Sequence, residues 1–259
     1  MIYTIFGHTG FLGNEFKNYL IKKKYKVFLP KRNEYKLNKY SKDVIYFIGS
    51  DNKKNILSFV NSNFVHLYNL LNNNNLDSII FISSTRIYLN QKRRTIKEDD
   101  DLELLYSEKY FFNLLKLLSE KIALSVPNCK IIRISNVFGR NKNKDSFLPK
   151  MINDAKEKNL KVHINKFSAK DYIYIDDVLL GIFKILKYGK KKIYNLASGK
   201  KVSINKITKK LKKKFHGNIK YKNQNSFENY PTINIERIQK EFKFKFTKNI
   251  LKYLDEIKK

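Results

Sequence analysis

"IYTIFGHTGFLG", residues 2–13, joins a short apolar run to a turn with glycines at 7, 10 and 13, and then to the amphipathic stretch "LGNEFKNYLIKKKY". Read in order, this is strand, turn and helix. In such a turn Gly7 permits the sharp reversal, Gly10 lets the backbone approach a pyrophosphate, and Gly13 lets helix and strand pack closely. Free N–H groups at the helix start attract phosphate charge. Glycines alone are turn makers, but in this setting they predict a dinucleotide site at Gly7, Thr9, Gly10, Phe11, Leu12 and Gly13.

Outward from this turn the pattern repeats. "YKVFL" (25–29), "DVIYFIG" (43–49), "SIIFISS" (78–84) and "CKIIRIS" (129–135) are apolar, β-rich runs, with helical patterns at 55–73 and 103–125. Strands buried on both faces and alternating with helices predict an α/β protein with a doubly wound parallel sheet. "NNNN" at 72–75 reads as a helix-ending loop, and no solenoid repeat is present. After residue 138 the chain turns polar, then offers a helix in "MINDAKEKNL", a strand feeding a helix in "DYIYIDDVLLGIFKIL", and a strand in "KIYNLAS". The expected organisation is a dinucleotide-binding domain over 1–138, completed by about 166–200, and a small interwoven cap from 139–165 and 201–259. A ligand cleft is expected between them.

Composition narrows the function. The chain has 259 residues, 42% hydrophobic and 14% aromatic, enough for a packed core. Its formal charge of +31 first suggests nucleic acid. The lysines are spread along the whole chain, however, and come with many Asn and Ile. In the densest run, "KKLKKKF" (209–215), Ile204, Ile207, Leu211 and Phe215 keep helical spacing, so the lysines form a solvated face. No nucleic-acid partner is expected. The longest apolar runs fall far short of the roughly 20 residues of a membrane span, and "MIYTIFGHTG" has no basic leader, so a cytoplasmic protein without membrane contact is expected. Cys129, the sole cysteine, reads as a buried inert thiol. His8, His66, His163 and His216 lack ligand spacing, and no metal is predicted. At the end of the second strand, "LPKRNE" puts Lys31 and Arg32 where an acidic residue would hold the ribose hydroxyls of NAD. This favours NADP(H) over NAD(H), against the alternative of solvated loop charge.

Further motifs follow in order: "FISSTRIY", "KLLSE", "RISNVFG", "KDYIYIDDV", "YNLASGKKVSI" and "INIERIQKEFKFKF". Together they resemble the extended short-chain dehydrogenase/reductase family, the nucleotide-sugar epimerases, dehydratases and reductases, over nearly the whole chain. The resemblance implies a Rossmann domain and a catalytic Ser or Thr, Tyr and Lys, the last two being four apart on one helix face. There the ammonium lowers the phenol's pKa and holds the nicotinamide ribose, while Tyr exchanges a proton with a sugar oxygen. Ser84 and Lys116 fill their positions, but the tyrosine's is taken by Phe112. Tyr110 lies about 200° around the helix from it, and Tyr106 is about 120° off and a turn and more away, so neither substitutes. Two histories fit: a deliberate Tyr-to-Phe change that traps substrate, or a natural member whose chemistry has lapsed or moved.

The same resemblance assigns Ile48, Gly49, Lys116 and Ser135 to the cofactor, and Ser84, Thr85, Asn136, Phe147 and Lys170 to the sugar nucleotide; Arg86, directly beside the serine motif, is placed with the sugar nucleotide too, with a surface arginine as the equal alternative. Asp176 and Asp177 look like a metal pair but are read as carboxylates at a helix start. The implied activity is NADP(H)-dependent oxidoreduction at C4 of a nucleotide-activated sugar, a 4-keto reductase first and a C4 epimerase next. A non-catalytic binding protein of the same fold is the alternative. A homodimer paired through the helices near 56–73 and 103–125 is also implied.

Overall fold

The computed structural model describes residues 2–31, 34–37, 42–49, 55–105, 107, 110–140, 146–222, 224–225 and 227–258. In chain order its first elements are β1 (Ile2–Phe6), α1 (Phe11–Lys22), β2 (Lys26–Phe28), β3 (Asp43–Tyr46), α2 (Ile56–Val60), a π-helical turn (Asn61–Val65) and α3 (His66–Asn72). There follow β4 (Ser78–Ser84), a 3₁₀ turn (Thr85–Tyr88), β5 (Thr95–Ile96), α4 (Phe111–Ala123), β6 (Cys129–Ile134), β7 (Asn136–Phe138), α5 (Phe147–Lys156) and β8 (Asn159–Val162). The remainder comprises β9 (Ala169–Tyr174), α6 (Ile175–Tyr188), β10 (Ile193–Leu196), β11 (Lys201–Ser203), α7 (Ile204–Phe215), β12 (Asn218–Tyr221), β13 (Thr232–Ile233), α8 (Glu236–Phe242) and α9 (Ile250–Glu256). Two compact units divide the chain: 1–87, 103–133 and 181–194 form one, and 88–102, 134–180 and 195–259 the other.

The first unit is built on the six-stranded sheet, in the order β10-β6-β4-β3-β1-β2. β1 pairs in parallel with both β2 and β3, and β3 with β4. The chain steps to one side of β1 and then to the other, so the order reverses beside it. That reversal is the switch point at which α/β sheets take ligands, and the glycine turn lies at its carboxyl end. Tyr3, Ile5 and Phe6 in β1, and Ile79, Ile80, Phe81 and Ile82 in β4, are buried without alternation because helices cover both faces. On one face Phe6, Tyr46 and Phe81 join Leu67, Leu70 and Ala123 in a single cluster. On the other, α1 buries Gly13, Phe16 and Leu20 at helical spacing, and Tyr19 meets Phe183 of α6 at 5.7 Å. The helical pattern at 55–73 forms as two helices joined by a π turn. Of the pattern at 103–125, the described residues 103–105 and 107 are not helical, and α4 begins at Phe111 with Tyr110 in the N-cap position and no capping side-chain bond. Tyr106 lies outside the described residues.

The second unit holds the three-stranded sheet β11-β9-β7 and the parallel pairs β12-β8 and β13-β5. Its core gathers Phe138, Leu148, Met151, Leu160, Val162, Ile207, Leu211 and Leu254. α7 buries Ile204, Ile207, Leu211 and Phe215, with Ser203 accepting from the Lys206 N–H at its start. Lys206, Lys209, Lys212 and Lys213 face solvent, which agrees with a wet helix face. α5 starts at Phe147 and stops at Lys156, earlier than expected, because Lys158 takes a left-handed φ of 58° and Asn159 opens β8. No helix among the described residues is long and apolar enough to cross a membrane.

Candidate functional site

In the first unit, Gly7 sits at φ 78°, and a Cβ there would lie 2.9 Å from the Phe47 carbonyl carbon. A Cβ on Gly13 would lie 2.2 Å from the Gly7 oxygen, so close packing of helix on strand requires glycine there too. Gly10 differs. Its N–H donates to the Gly7 oxygen at 3.0 Å, yet a Cβ on it would meet only that oxygen, at 3.4 Å. The protein has room for a side chain at Gly10, so its own packing does not require glycine there. Gly10 is also the N-cap of α1 without a capping side chain, and the first turn carries no acidic residue. The positive end of the helix is left for an anion. Thr9, Phe11 and Leu12 complete this turn, none of them fully buried.

At the next strand ends the chain brings Gly49, Lys116 and Asn63 together. A Cβ on Gly49 would lie 2.8 Å from Lys116 Nζ and 3.2 Å from Asn63 Oδ1, so this cradle exists because position 49 has no side chain. Lys116 is buried, and desolvation lowers its pKa to about 8, with Glu120 opposing the shift. Asn63 belongs to the π turn; its Nδ2 donates to the Phe59 oxygen at 3.0 Å, and its own backbone oxygen accepts from Ser119 Oγ at 2.7 Å. Sequence reasoning missed Asn63. Its signal is a polar residue on the buried side of an otherwise apolar helix pattern, and π turns recur at functional sites. Ile48, just before Gly49, is half-buried.

Phe112 stands one turn before Lys116, 9% exposed, with Lys116 Nζ 5.9 Å from its ring centre and the Phe59 ring at 6.2 Å. The Arg86 guanidinium lies 5.2 Å from the same ring. The Arg86 backbone N–H donates to Ser84 Oγ at 3.1 Å, and Thr85 between them is buried. The expected trio of Ser84, position 112 and Lys116 thus belongs to one unit, with Arg86 added to it. Ser83 Oγ, Arg86 Nε and Asn113 Oδ1 are buried here without hydrogen-bond partners. Buried polar atoms are rarely orphaned, and of these three Arg86 Nε belongs to the side chain that lies against the Phe112 ring. Arg133 of β6 and Glu120 of α4 form a buried ion pair at 2.7 Å that fixes α4 on the sheet.

Other expected residues are placed differently. Lys31 is exposed, and its backbone N–H donates to Glu34 Oε2 at 2.9 Å, so a carboxylate shares its loop; Arg32 lies outside the described residues. In the second unit, Ser135 Oγ donates to Asp171 Oδ1 at 2.7 Å, and its N–H to the Leu196 oxygen. Asn136 Nδ2 donates to the Asp171 oxygen at 2.9 Å. Lys170 meets Phe147, with Nζ 5.5 Å from the ring, and that ammonium is paired with Glu228 at 2.7 Å. Asp176 pairs with Arg140, and Asp177 accepts from the Thr247 N–H and hydroxyl; both lie in the first turn of α6. No cluster of three or more metal-ligating side chains occurs among the described residues. Cys129 is buried and its thiol pushed up to about 12, which leaves it unreactive.

No curated protein matches the sequence. Solved structures do match in shape. One is MoeE5 in complex with UDP-glucuronic acid and NAD, 14% identical, covering 98% of this chain and 97% of that one at a TM-score of 0.84. Another is dTDP-glucose 4,6-dehydratase from Bacillus anthracis in complex with NAD, 17% identical, covering 99% and 94% at 0.81. A third is RMD from Pseudomonas aeruginosa complexed with NADPH, 16% identical, covering 98% and 96% at 0.76. At such identities the likeness establishes the fold, that of a Rossmann-type doubly wound sheet. The model of the NAD dependent epimerase/dehydratase family matches residues 3–197, and the chain belongs to that family.

Proposed function

We propose that this protein is a nicotinamide-dinucleotide-dependent oxidoreductase acting at C4 of a nucleotide-activated sugar, a 4-keto reductase ahead of a C4 epimerase, in which Phe112 has removed the customary proton relay. The observation that carries this reading is the alignment, within one unit, of the glycine turn, the Gly49–Asn63–Lys116 cradle and the face of α4 that presents position 112 beside Lys116. The turn would hold the pyrophosphate on its N–H groups, and Lys116 with Asn63 would hold the nicotinamide ribose. A bound nicotinamide would supply or accept hydride at the sugar carbon. Ser84 would hydrogen-bond the sugar oxygen, and Lys116 keeps that place positive. The 3₁₀ turn after Ser84, Thr85–Tyr88, carries no carboxylate, which favours reduction or epimerisation over elimination of water, a step that needs a base at a neighbouring carbon. That the solved relatives carry UDP-glucuronic acid, NAD or NADPH supports both ligand classes.

Among cofactors we favour NADP(H), on the cations of Lys31 and Arg32; Glu34 is the opposing consideration, as a potential acceptor for ribose hydroxyls. NADPH at equal concentration should therefore raise the melting temperature more than NADH, since stabilisation follows affinity by mass action. Equal shifts, or a larger one with NADH, would remove the basis for NADP(H). Lys170 is held by Glu228, so a phosphate that bound this lysine would have to displace that carboxylate. Phe112 and this occupied lysine also favour a second reading, a protein that binds cofactor and sugar nucleotide without turning them over.

The pairing surface is proposed to be the outer face of α2, α3 and α4. Ile56, Leu57, Tyr68 and Leu118 are exposed there, Leu57 by 72%, and Phe64 stacks on Tyr68. Apolar side chains at that density mark a contact surface, and two copies would meet as a four-helix interface. Light scattering at micromolar concentration should give twice the chain mass, and a monomer would refute the pairing.

A further inference from the structure

The ring of Phe112 faces two cations, the guanidinium of Arg86 at 5.2 Å and the ammonium of Lys116 at 5.9 Å. Among the described residues no carboxylate pairs with Arg86. Its Nε is buried without an acceptor, an arrangement that costs free energy until an acceptor arrives. We propose that Arg86 is the receptor for a carboxylate carried by the sugar, so that the preferred substrate class is a nucleoside-diphosphate hexuronate and not a neutral hexose. The inference rests on the reading of Ser84, position 112 and Lys116 as the reacting end of the site.

The placement supports a sugar group over a phosphate. Arg86 follows Ser84 by two residues and donates its backbone N–H to the Ser84 hydroxyl, so its side chain starts beside the serine proposed to touch the reacting oxygen and lies against the ring at position 112. The pyrophosphate of a dinucleotide is served by the glycine turn, which has its own donors. C6 hangs from C5, the ring neighbour of C4, and in a hexuronate it is a carboxylate. Its two oxygens match the planar guanidinium fork and offset the Arg86 charge. The hydroxymethyl of a neutral hexose accepts a hydrogen bond but leaves that charge uncompensated.

Calorimetric titration of the full chain, saturated with NADP⁺, against UDP-glucuronic acid and UDP-glucose tests this without any turnover. A charge-assisted pair predicts that UDP-glucuronic acid binds about ten- to a hundredfold more tightly. Arg86→Met should reduce that preference to within about twofold, and Arg86→Lys, which keeps the charge but not the fork, should retain an intermediate preference. Circular dichroism and melting temperature check that each variant is folded; should Arg86→Met not fold, Arg86→Lys decides. Equal affinities for the two ligands in the native chain, or an undiminished preference in the folded variants, would overturn the role of Arg86 while leaving the nucleotide-sugar reading in place. Failure of the native chain to bind either UDP-sugar or dTDP-glucose would overturn that reading, and this inference with it.

Discussion

Phe112→Tyr should raise the rate at which NADPH reduces a 4-keto nucleotide sugar by about 10²- to 10⁴-fold, the usual worth of a positioned proton donor. Substrate affinity should scarcely change, because one hydroxyl facing a preformed site acts on the transition state. The surroundings suit the new group. Arg86 and Lys116 lie 5.2 and 5.9 Å from the ring, so two cations would favour the phenolate and lower the phenol's pKa. The helix tolerates the change, since Phe and Tyr have similar propensities and the Phe59 ring 6.2 Å away packs against either. Steady-state kinetics separate the outcomes. A native chain that already turns over at an ordinary rate, of order 10 per second, contradicts the missing-hydroxyl account. A Tyr variant that binds a broad panel of nucleotide sugars and reduces none supports the binding-protein reading instead.

How far the sequence could be read depends on the range of the interactions that decide each feature. β1 and β4 appear at the bounds their apolar runs predict, because strands buried on both faces leave uninterrupted hydrophobic sequence. The glycine turn was legible because steric limits are local: a Cβ at Gly13 collides with an oxygen six residues earlier. Lys116 and Phe112 were legible through the resemblance of "KLLSE" to the family's active-site helix, whose four-residue spacing puts the two positions on one face. Asn63 was not, since its meeting with Gly49 and Lys116 depends on a π turn and on packing between segments far apart in the chain. The same limit applies to Arg86. Its position beside Ser84 was visible, but the fold of its side chain over Phe112 and the orphaned Nε are tertiary facts. Lys170 shows the opposite case, a residue read for its own charge whose partner, Glu228, lies 58 positions further along the chain and carries no local signature.

The claim on which everything else depends is that the glycine turn holds a nicotinamide dinucleotide, and Gly10→Glu tests it with little risk to the fold. Gly10 has φ −76° and ψ 166°, a conformation open to any L residue, and a Cβ there has space. A carboxylate at the N-cap of α1 should even stabilise the helix, by capping its first N–H groups and facing the positive end of its dipole. For the ligand the same carboxylate is harmful, because it occupies the backbone approach to the pyrophosphate and adds a like charge beside it, at a cost of several kcal/mol. Calorimetric titration with NADPH should show one site per native chain, and in Gly10→Glu, with its melting temperature kept or raised, affinity weakened by more than about a hundredfold. Native protein that takes up no NADPH or NADH, or a folded Gly10→Glu variant that binds the cofactor as tightly as the native chain, would contradict the account.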